Sequence, residues 1–273
     1  MVRIVAVALL ACGAEAFLAP SAQLNTAVRS VAVSRSSALH MSTPVVDKDK
    51  EEVTEYFNNN GFERWNKIYS DSDEVNAVQK DIRDGHGQTV DKVLAWIDAD
   101  GDAAKRTFCD AGCGVGSLTI PLGMRGAKVA ASDISKAMTT EAAARTKVAL
   151  GSDAKRITFQ TSDLESLSGS YDTVCCIDVM IHYPTDKMTE MVSKLCSMAT
   201  NRVIISFAPD TWYYTALKAF GGLFPGPSKT TRAYLHKEEA VIAALKSAGF
   251  EVQRTQFTGT NFYFSRLLEA TRA

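Results

Sequence analysis

Asp110, Gly112, Gly114 and Gly116 alternate through Asp-Ala-Gly-Cys-Gly-Val-Gly, just after the β-prone Thr107–Cys109 and just before the apolar, helix-like Leu118–Leu122. That order spells a strand, a tight turn and a helix start. Glycine turns sharply at positive φ and leaves room for a ligand against the main chain. N–H groups at a helix start favour an anionic group. The stretch reads as a nucleotide-type pocket at the carboxyl end of a parallel strand. A dinucleotide fingerprint would need glycine at position 117, which is Ser117. Asp110 at the strand end would repel a pyrophosphate but suits an ammonium or sulfonium. S-adenosylmethionine carries both, and its own carboxylate can sit at the helix start.

Three further acids close expected strands. Asp133 follows Lys128–Ser132, 17 residues beyond Gly116, near the offset at which an acid meets a ribose. Asp163 follows Ile157–Thr161 and is placed to accept an adenine amino proton, and Asp178 lies in the long apolar run Tyr171–Val179. The expected cofactor set is Asp110, Gly112, Cys113, Gly114, Gly116, Asp133, Ile134, Ser162, Asp163 and Asp178. Beyond it, His182 in Ile181-His182-Tyr183-Pro184 opens at the same sheet edge; it could serve as a donor, a base or a ligand to a substrate metal. An inserted segment, Pro209–His236, holds Trp212, Tyr213, Tyr214, Phe220, Phe224 and Tyr234 with Lys229, Arg232 and His236. A long segment of this kind is a lid or a binding element. Its aromatics suit a large flat ligand, and its cations suit carboxylates. Gly61–Tyr69 mixes aromatics and charges, including Arg64 and Trp65, without a clear period, as a ligand-contacting segment does.

Strands and helices alternate behind these groups. Helical spacing is expected over Glu51–Asn58 and Asn76–Ile97, the second broken near Gly85 and Gly87. Helices are also expected over Ser135–Leu150, Thr185–Met198 and Lys237–Ala248, and a fifth strand over Arg202–Phe207. Glu251–Thr258 and Phe262–Leu268 read as a terminal hairpin. The fold class is therefore α/β: a doubly wound, mostly parallel seven-stranded sheet with N-terminal helices and an inserted lid.

The 273 residues carry a formal net charge of −1. One positive charge precedes the apolar Ile4–Cys12, and Ala14-Glu15-Ala16 fits a small-residue cleavage site. Phe17–Val46 holds no Asp or Glu and is rich in Ser and Ala, with Arg29 and Arg35. This is a secretory signal followed by a transit-type segment. It resembles the two-part leaders that address proteins to complex algal plastids. The expected division is a leader over residues 1–41 and one catalytic domain over 42–273, with lid elements near 47–98 and 209–236. Removing Arg3, Arg29, Arg35 and Glu15 takes away a net +2 and leaves about −3. No basic stripe argues for nucleic acid. Five cysteines remain: Cys109, Cys113, Cys175, Cys176 and Cys196. Odd in number and set in core strands, they read as small apolar residues, and a zinc site in the glycine turn is not expected.

Several segments together resemble the magnesium-protoporphyrin IX O-methyltransferases of chlorophyll biosynthesis. They are Phe62–Tyr69, Asp81-Ile82-Arg83-Asp84-Gly85-His86, Cys109–Ser117, Ile181–Pro184, Ser206-Phe207-Ala208-Pro209 and Phe224–Tyr234. The resemblance spans about Val53 to Arg272. It implies a class I methyltransferase fold and methyl transfer from S-adenosylmethionine to one propionate of the magnesium porphyrin. It also implies work at plastid membranes beside magnesium chelatase. On that reading His182 and Tyr69 are positioning donors, Arg64, Trp65, Trp212 and Phe224 meet the macrocycle, and Lys229 or Arg232 holds a propionate. Two other readings stay open on the residues alone: methylation of a phenol with His182 as base, and a non-catalytic cofactor-binding regulator.

Overall fold

The computed structural model describes residues 48–70, 75–101, 103–211 and 233–273. The expected leader, residues 1–41, and Trp212, Phe224, Lys229 and Arg232 lie outside the described residues. Seven strands form one sheet: β1 (Thr107–Ala111), β2 (Lys128–Asp133), β3 (Ile157–Thr161), β4 (Tyr171–Cys176), β5 (Ala199–Phe207), β6 (Phe250–Gly259) and β7 (Phe264–Arg272). Their order is β3-β2-β1-β4-β5-β7-β6, with five parallel strands and an antiparallel β6–β7 pair at one edge. The order reverses between β1 and β4, which is where such sheets open a ligand crevice.

Side-chain alternation supplies both faces. Val174, Cys176, Val203 and Ile205 pack on one side against α6 (Thr185–Met198) and α7 (Glu238–Ser247), through Met188, Val192, Leu195, Val241 and Leu245. Phe108, Val129, Cys175 and Ile204 pack on the other against α3 (Ala77–Asp100) and α4 (Thr119–Met124), through Val93, Leu94, Ile97 and Leu122. Strands buried on both faces read as continuous apolar runs, which is why β4 and β5 are so apolar. Cys109, Cys113, Cys175, Cys176 and Cys196 are all buried as free thiols.

Two expectations need correction. Helix α3 runs unbroken through Gly85 and Gly87, started by an Asn76–Gln79 capping box. Gly85 is a packing requirement: a Cβ there would lie 2.4 Å from the Tyr263 ring. Asn60–Ile68 is a regular helix, α2, and not an irregular segment. Its last carbonyls are held from outside. Arg83 Nη2 donates to Lys67 O (3.2 Å), and Arg145 donates to Asn66 O (3.2 Å) and Tyr69 O (2.6 Å). Helix α1 (Lys48–Asn58) docks on the start of α5 (Lys136–Leu150), where Ser135 Oγ donates to Phe57 O at 2.9 Å. Tertiary arginines thus fix the end of a short amphipathic helix. No helix among the described residues is long and apolar enough to cross a membrane.

Candidate active site

The crevice holds a cavity of about 390 Å³, within the usual size of a small-molecule site. One wall is the glycine turn. Gly112, Gly114 and Gly116 all have positive φ (84°, 53° and 94°). A Cβ on Gly112 would lie 2.1 Å from Val179 Cγ2, whereas one on Gly114 would stand in open space. Gly116 does not line the cavity; a Cβ there would crowd Ile120 and Ala142, so it serves the packing of α4 and α5.

The turn offers room more than donors. The amides of Gly112 and Cys113 both donate to Ser132 O at 2.8 Å, Gly114 N to Asp133 Oδ2 at 2.9 Å, and Gly116 N to Cys113 O at 2.9 Å. The start of α4 is likewise occupied, because Asp110 accepts both the Thr119 hydroxyl and the Thr119 amide. The expected free helix-start amides are therefore largely used within the fold.

The four acids part company. Asp110 and Asp133 line the cavity. Burial raises the Asp110 carboxyl to about 6, against the Thr119 hydrogen bond, with nearby Asp133 adding to the rise and His86 opposing it. Burial also raises Asp133, opposed by amide donors from Ser135, Gly114 and Ile134. Asp163 is a correction: it does not line the cavity, because its carboxylate caps the turn at Ser166 and pairs with Lys50 of α1 at 2.9 Å. Its neighbour Ser162 lines the cavity instead, as do Ile134 and Cys113. Asp178 lines it, yet its oxygens already accept from Ser206 Oγ (2.8 Å) and the Tyr263 hydroxyl (2.7 Å) and face His86 Nδ1 (2.7 Å).

The opposite wall is aromatic. Arg64, Trp65, Tyr69 and His182 line it, joined by Tyr56, Phe57, His86 and Tyr263. Trp65 and Tyr69 stack at 5.4 Å, and Tyr69 lies 4.4 Å from the His86 ring. Burial pushes the Tyr69 hydroxyl well above its usual value, and Asp178 adds to that, so Tyr69 stays a donor. Burial pulls His182 down to about 4 despite Asp178, and its ring meets Phe57 edge-on at 5.1 Å. His236 is a strap and not a substrate cation: buried, it sits with Nε2 2.9 Å from Met180 O. The two ends of the inserted segment are clasped there by a Pro209–His236 bridge and by Asp210 N donating to His236 O at 2.8 Å.

His86, Tyr263, Tyr56 and Phe57 were not among the residues singled out for the site. Their signal was weak, since each reaches the cavity through a helix or hairpin packed from far along the chain. His86 did stand in one of the diagnostic segments.

Sheet order, glycine turn and strand-end acids define a class I methyltransferase, and a family model described as a methyltransferase domain matches residues 109–203. A second model, the magnesium-protoporphyrin IX methyltransferase C-terminus, matches residues 176–272. Magnesium protoporphyrin IX methyltransferase, chloroplastic, of Arabidopsis thaliana is 55% identical over 81% of this chain and 71% of its own length. Magnesium-protoporphyrin O-methyltransferase of Synechocystis is 55% identical over 82% of this chain and 97% of its own. The crystal structure of the Synechocystis PCC 6803 enzyme with bound SAH superposes with a TM-score of 0.77 at 53% identity, covering 82% of this chain and 100% of that one. The chain belongs to the magnesium-protoporphyrin IX methyltransferase family.

Proposed function

We propose that this chain transfers a methyl group from S-adenosylmethionine to a propionate carboxylate of magnesium-protoporphyrin IX, giving the monomethyl ester in chlorophyll biosynthesis. The observation that carries this is one cavity with two unlike walls: strand-end acids with a glycine turn on one side, Trp65, Tyr69, His86 and His182 on the other. The residues fit the donor. Gly114 leaves open space where a side chain would stand, and the buried Oγ of Ser132, which also lines the cavity, has no hydrogen-bond partner. Asp110 supplies negative charge toward a cation, and Asp133 accepts from the ribose hydroxyls. Gly112, Cys113, Ile134 and Ser162 would complete the donor's pocket. Once bound, the donor supplies an electrophilic methyl on a sulfonium.

The chain's own task is alignment. Ordinary propionates are ionised near neutral pH, so the acceptor needs no strong base. Fixing two reactants in line lowers such a barrier by roughly 7–11 kcal/mol. Tyr69 and His182 act as positioning donors, Arg64, Trp65, Trp212 and Phe224 meet the macrocycle, and Lys229 or Arg232 holds a propionate. A phenol acceptor would call for a base of near-neutral pKa, and a His182 pulled down to about 4 makes a poor one.

Residues 1–41 serve as a leader that carries the domain, residues 42–273, into a plastid, through a secretory signal and then a transit segment typical of complex algal plastids. The Arabidopsis relative, called chloroplastic, supports a plastid address. There the enzyme acts at the membrane surface beside magnesium chelatase, the source of its substrate. The test is incubation with labelled donor and magnesium protoporphyrin. A labelled monomethyl ester is expected, and its absence under conditions where SAH binds would overturn the acceptor.

A further inference from the structure

His86 stands in the middle of α3, lines the cavity and is 9% exposed. Its Nδ1 lies 2.7 Å from Asp178 Oδ2. Asp178 is itself immobilised. Ser206 Oγ donates to its Oδ1 at 2.8 Å, the Tyr263 hydroxyl donates to its Oδ2 at 2.7 Å, and its own amide donates to Ser206 Oγ at 2.8 Å. It holds φ at 59°, a left-handed conformation that a non-glycine residue keeps where its surroundings over-determine it, often at functional sites. Burial alone would raise its carboxyl, but hydrogen bonds from His86, Tyr263 and Ser206 outweigh burial and hold it below the usual range. A fixed, ionised acceptor on Nδ1 means that Nδ1 carries a proton.

The other ring nitrogen is unaccounted for. His86 Nε2 is buried and has no hydrogen-bond partner. A histidine needed only to tie α3 to the sheet would complete its bonding within the protein, since an unsatisfied buried polar atom is costly. The Tyr69 ring, 4.4 Å away and tilted 34°, restrains the imidazole plane. His86 is also close enough to Asp110 to lower its carboxyl, so it faces the end of β1 where the donor pocket lies.

We propose that His86 Nε2 receives the acceptor carboxylate of the porphyrin, as an imidazolium held between Asp178 and that carboxylate. The inference rests on the function proposed above. A second carboxylate entering beside buried Asp178 needs a cation between the two, and the His86 imidazolium is placed to be that cation. Nε2–H then donates to one carboxylate oxygen and leaves the other free to attack. In the transfer, the new bond joins that oxygen to the methyl carbon, and the sulfur–methyl electron pair returns to sulfur. The ester formed has no charge to hold, so the product loses its clamp. His86 is thus a catalytic residue, and Asp178 is a positioning residue acting through it.

The test is fluorescence titration of the SAH-saturated chain with magnesium protoporphyrin and with its dimethyl ester. Wild type is expected to bind the free acid at least about tenfold more tightly than the diester, the scale of a buried charge pair. His86→Phe should shrink that ratio to about threefold or less with diester affinity unchanged, and His86→Gln, which keeps an N–H donor, should fall between. A ratio in His86→Phe equal to wild type would overturn the role. Should His86→Phe fail to bind SAH, His86→Gln decides, and an unchanged ratio there overturns it equally. If wild type binds neither porphyrin, the proposed function itself fails, and with it the role of His86; if wild type prefers the acid and the ratio survives substitution, only His86 is wrongly assigned.

Discussion

Asp133 accepts the Gly114 amide on Oδ2 and the Ser135 amide on Oδ1, each at 2.9 Å, so one carboxylate at the end of β2 braces both the glycine turn after β1 and the start of α5. A hydrogen bond to a charged group contributes about 1.5–3 kcal/mol. Asp133→Ala should therefore weaken SAH binding by about 10-fold to 100-fold and lower the melting temperature together. Calorimetric titration beside thermal denaturation reads both. Normal affinity in a well-folded variant would remove Asp133 from the donor site.

Asp110 should impose a pH dependence on donor binding. Its carboxyl stands at about 6, raised first by burial. Below that value it is protonated and offers a cationic donor nothing; above it the charge is present. Affinity for S-adenosylmethionine should therefore rise by about tenfold from about pH 5 to about pH 7, one decade per unit below the pKa. Asp110→Asn should flatten that rise. A wild-type affinity independent of pH would contradict the assignment.

Tyr69→Phe and His182→Ala should each cut kcat by about 10-fold to 100-fold, the worth of one positioning hydrogen bond, while SAH affinity stays within about threefold. Unchanged turnover in both would sink their role. His182 also has a stability signature. Its folded value of about 4 lies below the unfolded 6.5, so the unfolded chain binds more protons in that window. Its contribution to stability is present above about pH 6.5 and is lost as pH falls toward about 4. His182→Phe should lessen that acid-side loss in denaturant titrations.

The two glycines inside α3 should respond oppositely to alanine. A Cβ at Gly87 meets nothing within 4 Å, so Gly87→Ala should stabilise by about 0.4–1 kcal/mol. A Cβ at Gly85 would meet the Tyr263 ring at 2.4 Å, so Gly85→Ala should destabilise and displace the hydroxyl that reaches Asp178. Equal melting temperatures for the pair would refute this packing account.

The central strands β4 and β5 were legible because each is a local apolar run, and β3 and α6 fall at Ile157–Thr161 and Thr185–Met198, as their sequence pattern indicates. The cavity wall of Asp110, Gly112, Gly114 and Asp133 was legible because these residues sit at fixed offsets along a βαβ unit. What the sequence hid depends on distant partners. Gly85 looks like a helix breaker until Tyr263, far along the chain, is seen against it. The α2 segment looks irregular until Arg83 and Arg145 are seen holding its end. Asp163 and Asp178 occupy the right strand ends, but Lys50 and Ser166 draw off the first, and His86, Ser206 and Tyr263 draw off the second. Offset along the chain indicates where an acid lies, and only packing decides what it faces.

The most direct measurement is a crystal structure of this chain with SAH and magnesium protoporphyrin bound together. The account predicts a porphyrin carboxylate in the cavity between Tyr69, His86 and His182, one oxygen in line with the SAH sulfur and the other on His86 Nε2. A porphyrin seated elsewhere, or a carboxylate turned away from that sulfur, would contradict it.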